Sequence, residues 1–287
     1  MEIKDYLLIQ TLNGLTFAAV LFLLAIGLSL IFGVMRIINI AHGSFYMLGG
    51  YVGVSLMRAT GSFWLSISLA TVSVGIIGLL IERIFLRKFY LQEFPVMLIT
   101  MGFALILKDV VFMIWGGDPY YLNIPKYLVG HFSFGNVPFS YYRTFVILYA
   151  VVVAILLWAF MEKTNLGAKL RASVDDNEMA GGVGINVPLV CASMFFIGTA
   201  LAAMGGVLGS PFFGLYTNTD FEFLPLAFTV VIVGGLGSMK GVVVGSALVG
   251  LIDTFGKALL PELSYFTLFV PMVLVLVFKP AGIFGKA

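Results

Sequence analysis

The chain has 287 residues, 61% of them hydrophobic and 10% charged, with a net charge of +2 and a mean hydropathy of +1.08. Soluble domains lie nearer ~45–50% apolar and ~25% charged, so the composition excludes a soluble protein and marks an integral membrane one. The small net charge gives no argument for a nucleic-acid partner, and the single cysteine, Cys191, excludes an intrachain disulfide and reads as a buried, inert thiol.

At roughly 20 apolar residues per crossing, the first span is expected at 8–32. The leading stretch MEIKDYLLIQTLNG lacks a basic n-region and a small-residue cleavage site, so this helix is expected to be retained. The stretch from Gly27 to Gly53, GLSLIFGVMRIINIAHGSFYMLGGYVG, then places Gly33, Arg36, Asn39, His42, Gly43 and Ser44 between two apolar runs. Backbone freed from a helix in hydrocarbon costs several kcal/mol per group unless protein or a water-filled cavity satisfies it. The segment therefore reads as a broken helix on the wall of a solute pathway, with a short surface turn as the alternative.

A second span follows at 38–57 and a third at 63–82, ending in Glu82, Arg83, Arg87 and Lys88. Pro95 opens a fourth at 95–115, and residues 116–139 read as a polar, aromatic loop. Lys108 lies inside the fourth span and is expected to reach the interface by its long stem, unpaired with the adjacent Asp109, which points about 100° away on a helix. The fifth span, 141–161, precedes the longest charged stretch, 162–187, and a sixth span at 189–210. The loop PFFGLYTNTDFE (211–222) leads into a short run at 223–236 that stops at GGLGSMKG. Two more spans, 241–259 and 264–279, complete an all-α polytopic fold of nine crossings, or eight to ten depending on 38–57 and 223–241. Asp253 and Lys257 stand i,i+4 and are expected to pair on one helix face.

Orientation follows from lysine and arginine placement. With the N-terminus outside, Arg36, Arg83, Arg87, Lys88, Lys163, Lys169, Arg171, Lys240, Lys279 and Lys286 are cytoplasmic, against Lys4, Arg58, Lys126, Arg143 and Lys257 opposite. The excess predicts an external N-terminus and a cytoplasmic C-terminus.

Within 162–187, Leu166, Leu170, Val174, Met179, Val183 and Ile185 recur at roughly helical spacing, giving one or two short amphipathic helices on the cytoplasmic face. Further on, Gly237, Gly241 and Gly245 repeat every four residues, a small-residue face that admits a close neighbour. Lys240 is not preceded by Gly nor followed by Ser or Thr, so no phosphate-binding loop of the G-x-x-x-x-G-K-[ST] type exists here or elsewhere in the chain. H-E-x-x-H and G-x-S-x-G are absent, so no catalytic residue or metal site is expected. Gly43-Ser44 and Gly237-Ser238 each sit between a span and a glycine-spaced helix, the paired interruption of a transporter built from repeats.

Glu178, Ala180 and Gly184 match E-x-A-x-x-x-G, with Met179 where the signature has Ala. The loop resembles the coupling loop of binding-protein-dependent ABC importer permeases. NIAHGSFYMLGGY (39–51), LILKDVVFMIWGGDPY (105–120), the E-x-A loop with GGVGIN, and the glycine block 234–250 resemble, in order, the branched-chain amino acid permeases of the LivH type. The resemblance implies a single permease domain over 1–287 in a bacterial cytoplasmic membrane. It implies a second homologous permease, two cytoplasmic ATPase subunits that bind the ATP and Mg, and an extracytoplasmic substrate-binding protein. It assigns Glu178, Ala180, Gly184 and Arg171 to ATPase coupling. Asn39, His42 and Ser44, with Gly237 and Ser238, are the expected path residues. Urea, short amides or other amino acids remain open as substrates, as do a gradient-driven carrier acting alone and a channel or scaffold.

Overall fold

The computed structural model describes residues 3–90, 92–135 and 137–285; Lys286, counted among the basic residues, lies outside them. Helix α1 (Ile3–Met35) is followed by α2 (His42–Thr60), α3 (Phe63–Ile81) and α4 (Glu93–Trp115). Two four-residue strands, β1 (His131–Phe134) and β2 (Val137–Ser140), form an antiparallel hairpin with Phe132 opposite Phe139. The hairpin falls almost entirely within 116–139, where the sequence predicts only a loop, because strands this short carry too few residues for an alternating pattern to register.

After α5 (Tyr141–Lys163) come the short α6 (Asn165–Asp175) and α7 (Asn177–Gly182). The long α8 (Val187–Phe213), α9 (Thr219–Gly234), α10 (Met239–Leu259) and α11 (Ser264–Phe278) complete the chain. Among the described residues, six helices are long and apolar enough to cross a membrane: α1, α3 with its continuation to Phe89, α4, α5, α8 and α10. The molecule is a predominantly helical, polytopic membrane protein.

Burial decides the layering. The most apolar window of α1 is 89% buried within the protein, against 22% for α4 and 17% for α5. A helix that is hydrophobic all round and enclosed is a core helix, and α1 is the axis against which α8, α10, α9 and α5 pack. Helices α4 and α5 turn Leu105, Ile106, Ile155 and Leu156 outward, as lipid-facing surface requires.

Small residues set the close approaches. A Cβ at Gly27 of α1 would run into the carbonyl of Gly198 in α8, and one at Gly206 of α8 into the carbonyl of Tyr46 in α2. Gly241 and Gly245 bring α10 onto α9, and Gly250 brings it onto Ala18 of α1. Gly237 does not share that face. It precedes α10 with φ 75° and lies against Gly33 at the end of α1.

Candidate functional site

Helix α1 ends where Arg36, at φ 51°, turns out of the helix while its N–H still reaches the Phe32 carbonyl at 2.8 Å. Residues 36–41 then run back into the protein instead of along its surface. His42, the first residue of α2, has Nε2 2.9 Å from the carbonyl oxygen of Leu24. Leu24 lies about 16 Å back along α1 from Met35 at 1.5 Å per residue, so α2 begins deep inside. The ring must donate from Nε2, and Nδ1 has no partner although buried. Asn39 is fully buried and neither its amide oxygen nor its nitrogen has a protein partner.

A second helix starts inside from the opposite direction. The turn 214–218 is tied to the loop after α4 by Leu215 and Tyr120, which exchange backbone hydrogen bonds at 2.8 and 2.9 Å. Leu215 packs at Gly50, about 15 Å below the end of α2 at Thr60. The first turn of α9 therefore meets the first turn of α2: a Cβ on Gly43 would run into the Asp220 carbonyl, and Tyr46 stacks on Phe223 with ring centroids 4.5 Å apart.

At this joint the Ser44 hydroxyl donates to Asp220 Oδ2 at 3.1 Å. It also lies 3.5 Å from the carbonyl of Ala104, which is midway along α4. Asp220 is 2% exposed, and its Oδ1 has no hydrogen-bond partner in the protein. The Lys108 ammonium acts on its carboxylate electrostatically. Lys108 lies over the Phe221 ring, 5.3 Å from its centroid. Lys108 thus turns inward to α9, where the sequence reading had it reaching the interface. The positive ends of two helix dipoles converge here, and Asp220 supplies the compensating negative charge.

The other predicted break is different in kind. Ser238 caps α10 by accepting from the Gly241 N–H at 3.1 Å. Gly237 and Ser238 line a cleft of about 510 Å³ with Arg36, Glu162, Arg171 and Lys240, at the end of α1. Gly237 and Ser238 are therefore not beside Asn39, His42 and Ser44, and the second helix that starts in the interior is α9, not α10.

The charged segment 162–187 adjoins this same end. Thr164 caps α6 and Asp176 caps α7, each through its side chain. Asn177 Nδ2 donates to the carbonyl of Val34 at 3.0 Å, fastening α7 to α1. Glu178 is exposed, with Met179 and Val183 at 67% and 73%, while Ala180 faces inward at 4%. Gly184, at φ 87°, ends α7 in a Schellman turn: Gly184 N–H to Gly181 O and Ile185 N–H to Ala180 O, both 3.0 Å. Arg171 is 3.6 Å from Glu162.

Residues 10–277 match the family model described as branched-chain amino acid transport system / permease component. The chain belongs to this family. It is 32% identical to the high-affinity branched-chain amino acid transport system permease protein BraD of Pseudomonas aeruginosa, over 99% of this chain and 97% of that one. Against the LivH permease of Escherichia coli K12 it is 29% identical over 98% and 96%. The LivM permease of the same organism is 22% identical over 95% of this chain and 69% of its own. No solved structure matches the chain at a significant level.

The permease's central carboxylate, Asp220, escaped the sequence reading because its loop, PFFGLYTNTDFE, looks like ordinary polar connection. A signal was present. Asp220 borders an apolar run and Lys108 lies inside one, and ionisable residues so placed mark functional positions in membrane proteins by default. Among the described residues no group of three or more His, Cys, Asp or Glu side chains could hold a metal ion.

Proposed function

We propose that this permease is the membrane-spanning subunit of a binding-protein-dependent ABC importer that moves branched-chain amino acids inward. The observation that carries the reading is the family match over 10–277, reinforced by BraD and LivH, whose names specify branched-chain amino acid transport. ATP and Mg belong to two cytoplasmic ATPase subunits, and a related second permease, of which LivM is a model, completes the passage. An extracytoplasmic binding protein delivers the solute. The proposed topology has nine crossings in one permease domain, with an external N-terminus and a cytoplasmic C-terminus in a bacterial inner membrane. Supporting it, Arg36, Arg87, Lys88, Arg171 and Lys240 cluster around the coupling segment, while Arg143 and Lys257 share a cavity elsewhere.

Glu178 is the proposed ATPase contact, flanked by exposed Met179 and Val183 as apolar anchors in a helix-in-groove interaction. Ala180 packs that helix down, Gly184 sets its exit, and Arg171 holds α6 in register through Glu162. Asn39, His42 and Ser44 are the proposed path residues, with Gly237 and Ser238 at the cytoplasmic mouth. The support is that the Asn39 amide, His42 Nδ1 and the Asp220 oxygen beside Ser44 are buried without partners among the described residues, and such groups are stable in a membrane where a passage supplies partners.

The test is uptake of labelled leucine by vesicles holding the complete assembly, with and without internal ATP. Glu178→Lys is expected to abolish ATP-dependent uptake while the purified subunit unfolds at its normal temperature. Accumulation driven by an ion gradient, with no ATPase present, would refute the importer reading.

A further inference from the structure

On the face away from the coupling helices lies a cavity of about 380 Å³, inside the range of roughly 300–1,000 Å³ usual for small-molecule sites. Its walls come from four helices that meet only in the fold: α1, the first turn of α5, the last turn of α8 and the last turns of α10. On one side stands Arg143, whose guanidinium donates to Asn13 Oδ1 and lies 5.3 Å from the Phe212 ring centroid. On another stands Asp253, 2% exposed, with Oδ2 2.7 Å from Lys257 Nζ. Its second oxygen, Oδ1, is buried and has no hydrogen-bond partner among the described residues. Between these charges Phe17 and Phe213 pack at 5.4 Å and Phe213 and Phe212 at 6.0 Å, an apolar surface joining the two ends.

Each part asks for a different chemical group. A guanidinium with donors to spare binds a carboxylate through two parallel hydrogen bonds. A buried carboxylate oxygen without a donor is costly, and a ligand ammonium would supply the missing one. The phenyl rings accept an aliphatic chain. Because Lys257 already pairs with Asp253, a purely anionic ligand, such as a phospholipid phosphate, would satisfy Arg143 but leave Asp253 Oδ1 without a donor.

We propose that this cavity is a receiving site for a zwitterionic α-amino acid with an apolar side chain. Arg143 holds the carboxylate, Asp253 the ammonium, and Phe17, Phe212 and Phe213 the side chain. The inference rests on the importer reading for the source of the ligand, and the binding itself does not require it.

The experiment measures equilibrium binding of labelled L-leucine to the complete assembly in phosphatidylcholine nanodiscs without the binding protein. 4-Methylpentanoate, which lacks the ammonium, and isopentylamine, which lacks the carboxylate, serve as competitors. Saturable binding is expected, and Arg143→Gln and Asp253→Asn should each weaken it about tenfold or more. Methylpentanoate should compete in Asp253→Asn but not in Arg143→Gln, and isopentylamine the reverse. Arg143→Lys, which keeps the charge and loses the fork, should fall between. Retention of the ATPase subunits on purification controls for folding, and if Arg143→Gln fails it, Arg143→Lys and Asp253→Asn decide the question. Unchanged leucine affinity in folded variants, no saturable binding to the wild type, or displacement of leucine by added phosphatidylglycerol would overturn the site. ATP-driven leucine uptake by the wild type, measured in parallel with the binding protein present, reports on the importer reading separately.

Discussion

Arg36 is the one non-glycine residue at positive φ among the described residues, and it stands where α1 must stop and the chain turn inward. A left-handed conformation costs a side-chain-bearing residue roughly 1–2 kcal/mol. Arg36→Gly is therefore expected to raise stability by about 1 kcal/mol in a thermal melt of the purified subunit, and Arg36→Val to lower it by more than that. Asp220 is held by the opposite logic: it compensates two helix N-termini and receives the Ser44 hydroxyl. Asp220→Ala should cost about 3 kcal/mol by leaving those donors unpaired, whereas Asp220→Asn, which still accepts from Ser44, should cost less. An unchanged unfolding midpoint in Asp220→Ala would show that the joint contributes nothing. Ser44 was legible in the sequence as polar and out of place. Its partner, 176 residues further on, was not, since no local pattern links them.

Among the elements, the short helix α2 owes its position to α8 and α9, and α9 owes its position to α1, α10 and α2, not to their own length. Gly206 lets α2 lie directly on α8, and its replacement must push the helices apart. Gly206→Val is expected to abolish folding or cost several kcal/mol through overpacking. Gly102→Val in α4, where an added Cβ meets nothing within 4 Å, should leave the melting temperature nearly unchanged. Equal behaviour of the two variants in a melt would contradict the packing described here. The glycine spacing 241–245 was readable because a period of four is a property of one helix. Gly237 was grouped with it wrongly, because spacing alone does not tell a helical glycine from one in the preceding turn.

For the whole molecule, α6 packs on α5, α1 and α8 and α7 on α6 and α8, and Asn177 Nδ2 also ties α7 to the end of the central helix α1 through the Val34 carbonyl. On the proposed coupling role, a push on α7 reaches α1, and through it α8, α9 and α10, which pack on it. Asn177→Ala is expected to lower the ratio of leucine transported to ATP hydrolysed about fivefold, the equivalent of one hydrogen bond of about 1 kcal/mol, while ATPase activity persists. An unaltered ratio in vesicles would place the transmission elsewhere, through α6 or the first turns of α8.

Hydrophobic runs, basic clusters and i,i+4 spacing are short-range properties. The sequence alone thus determined the membrane class, the apolar helices, the amphipathic pair after α5 and the Asp253–Lys257 bridge, seen at 2.7 Å. Depth and adjacency are not short-range. That α2 and α9 begin in the interior and face one another, that Lys108 turns inward, and that Arg143 and Asp253 border one cavity were decided only by tertiary packing. The reason is physical: with no water in the bilayer core, a polar residue's role depends on which distant segment satisfies it.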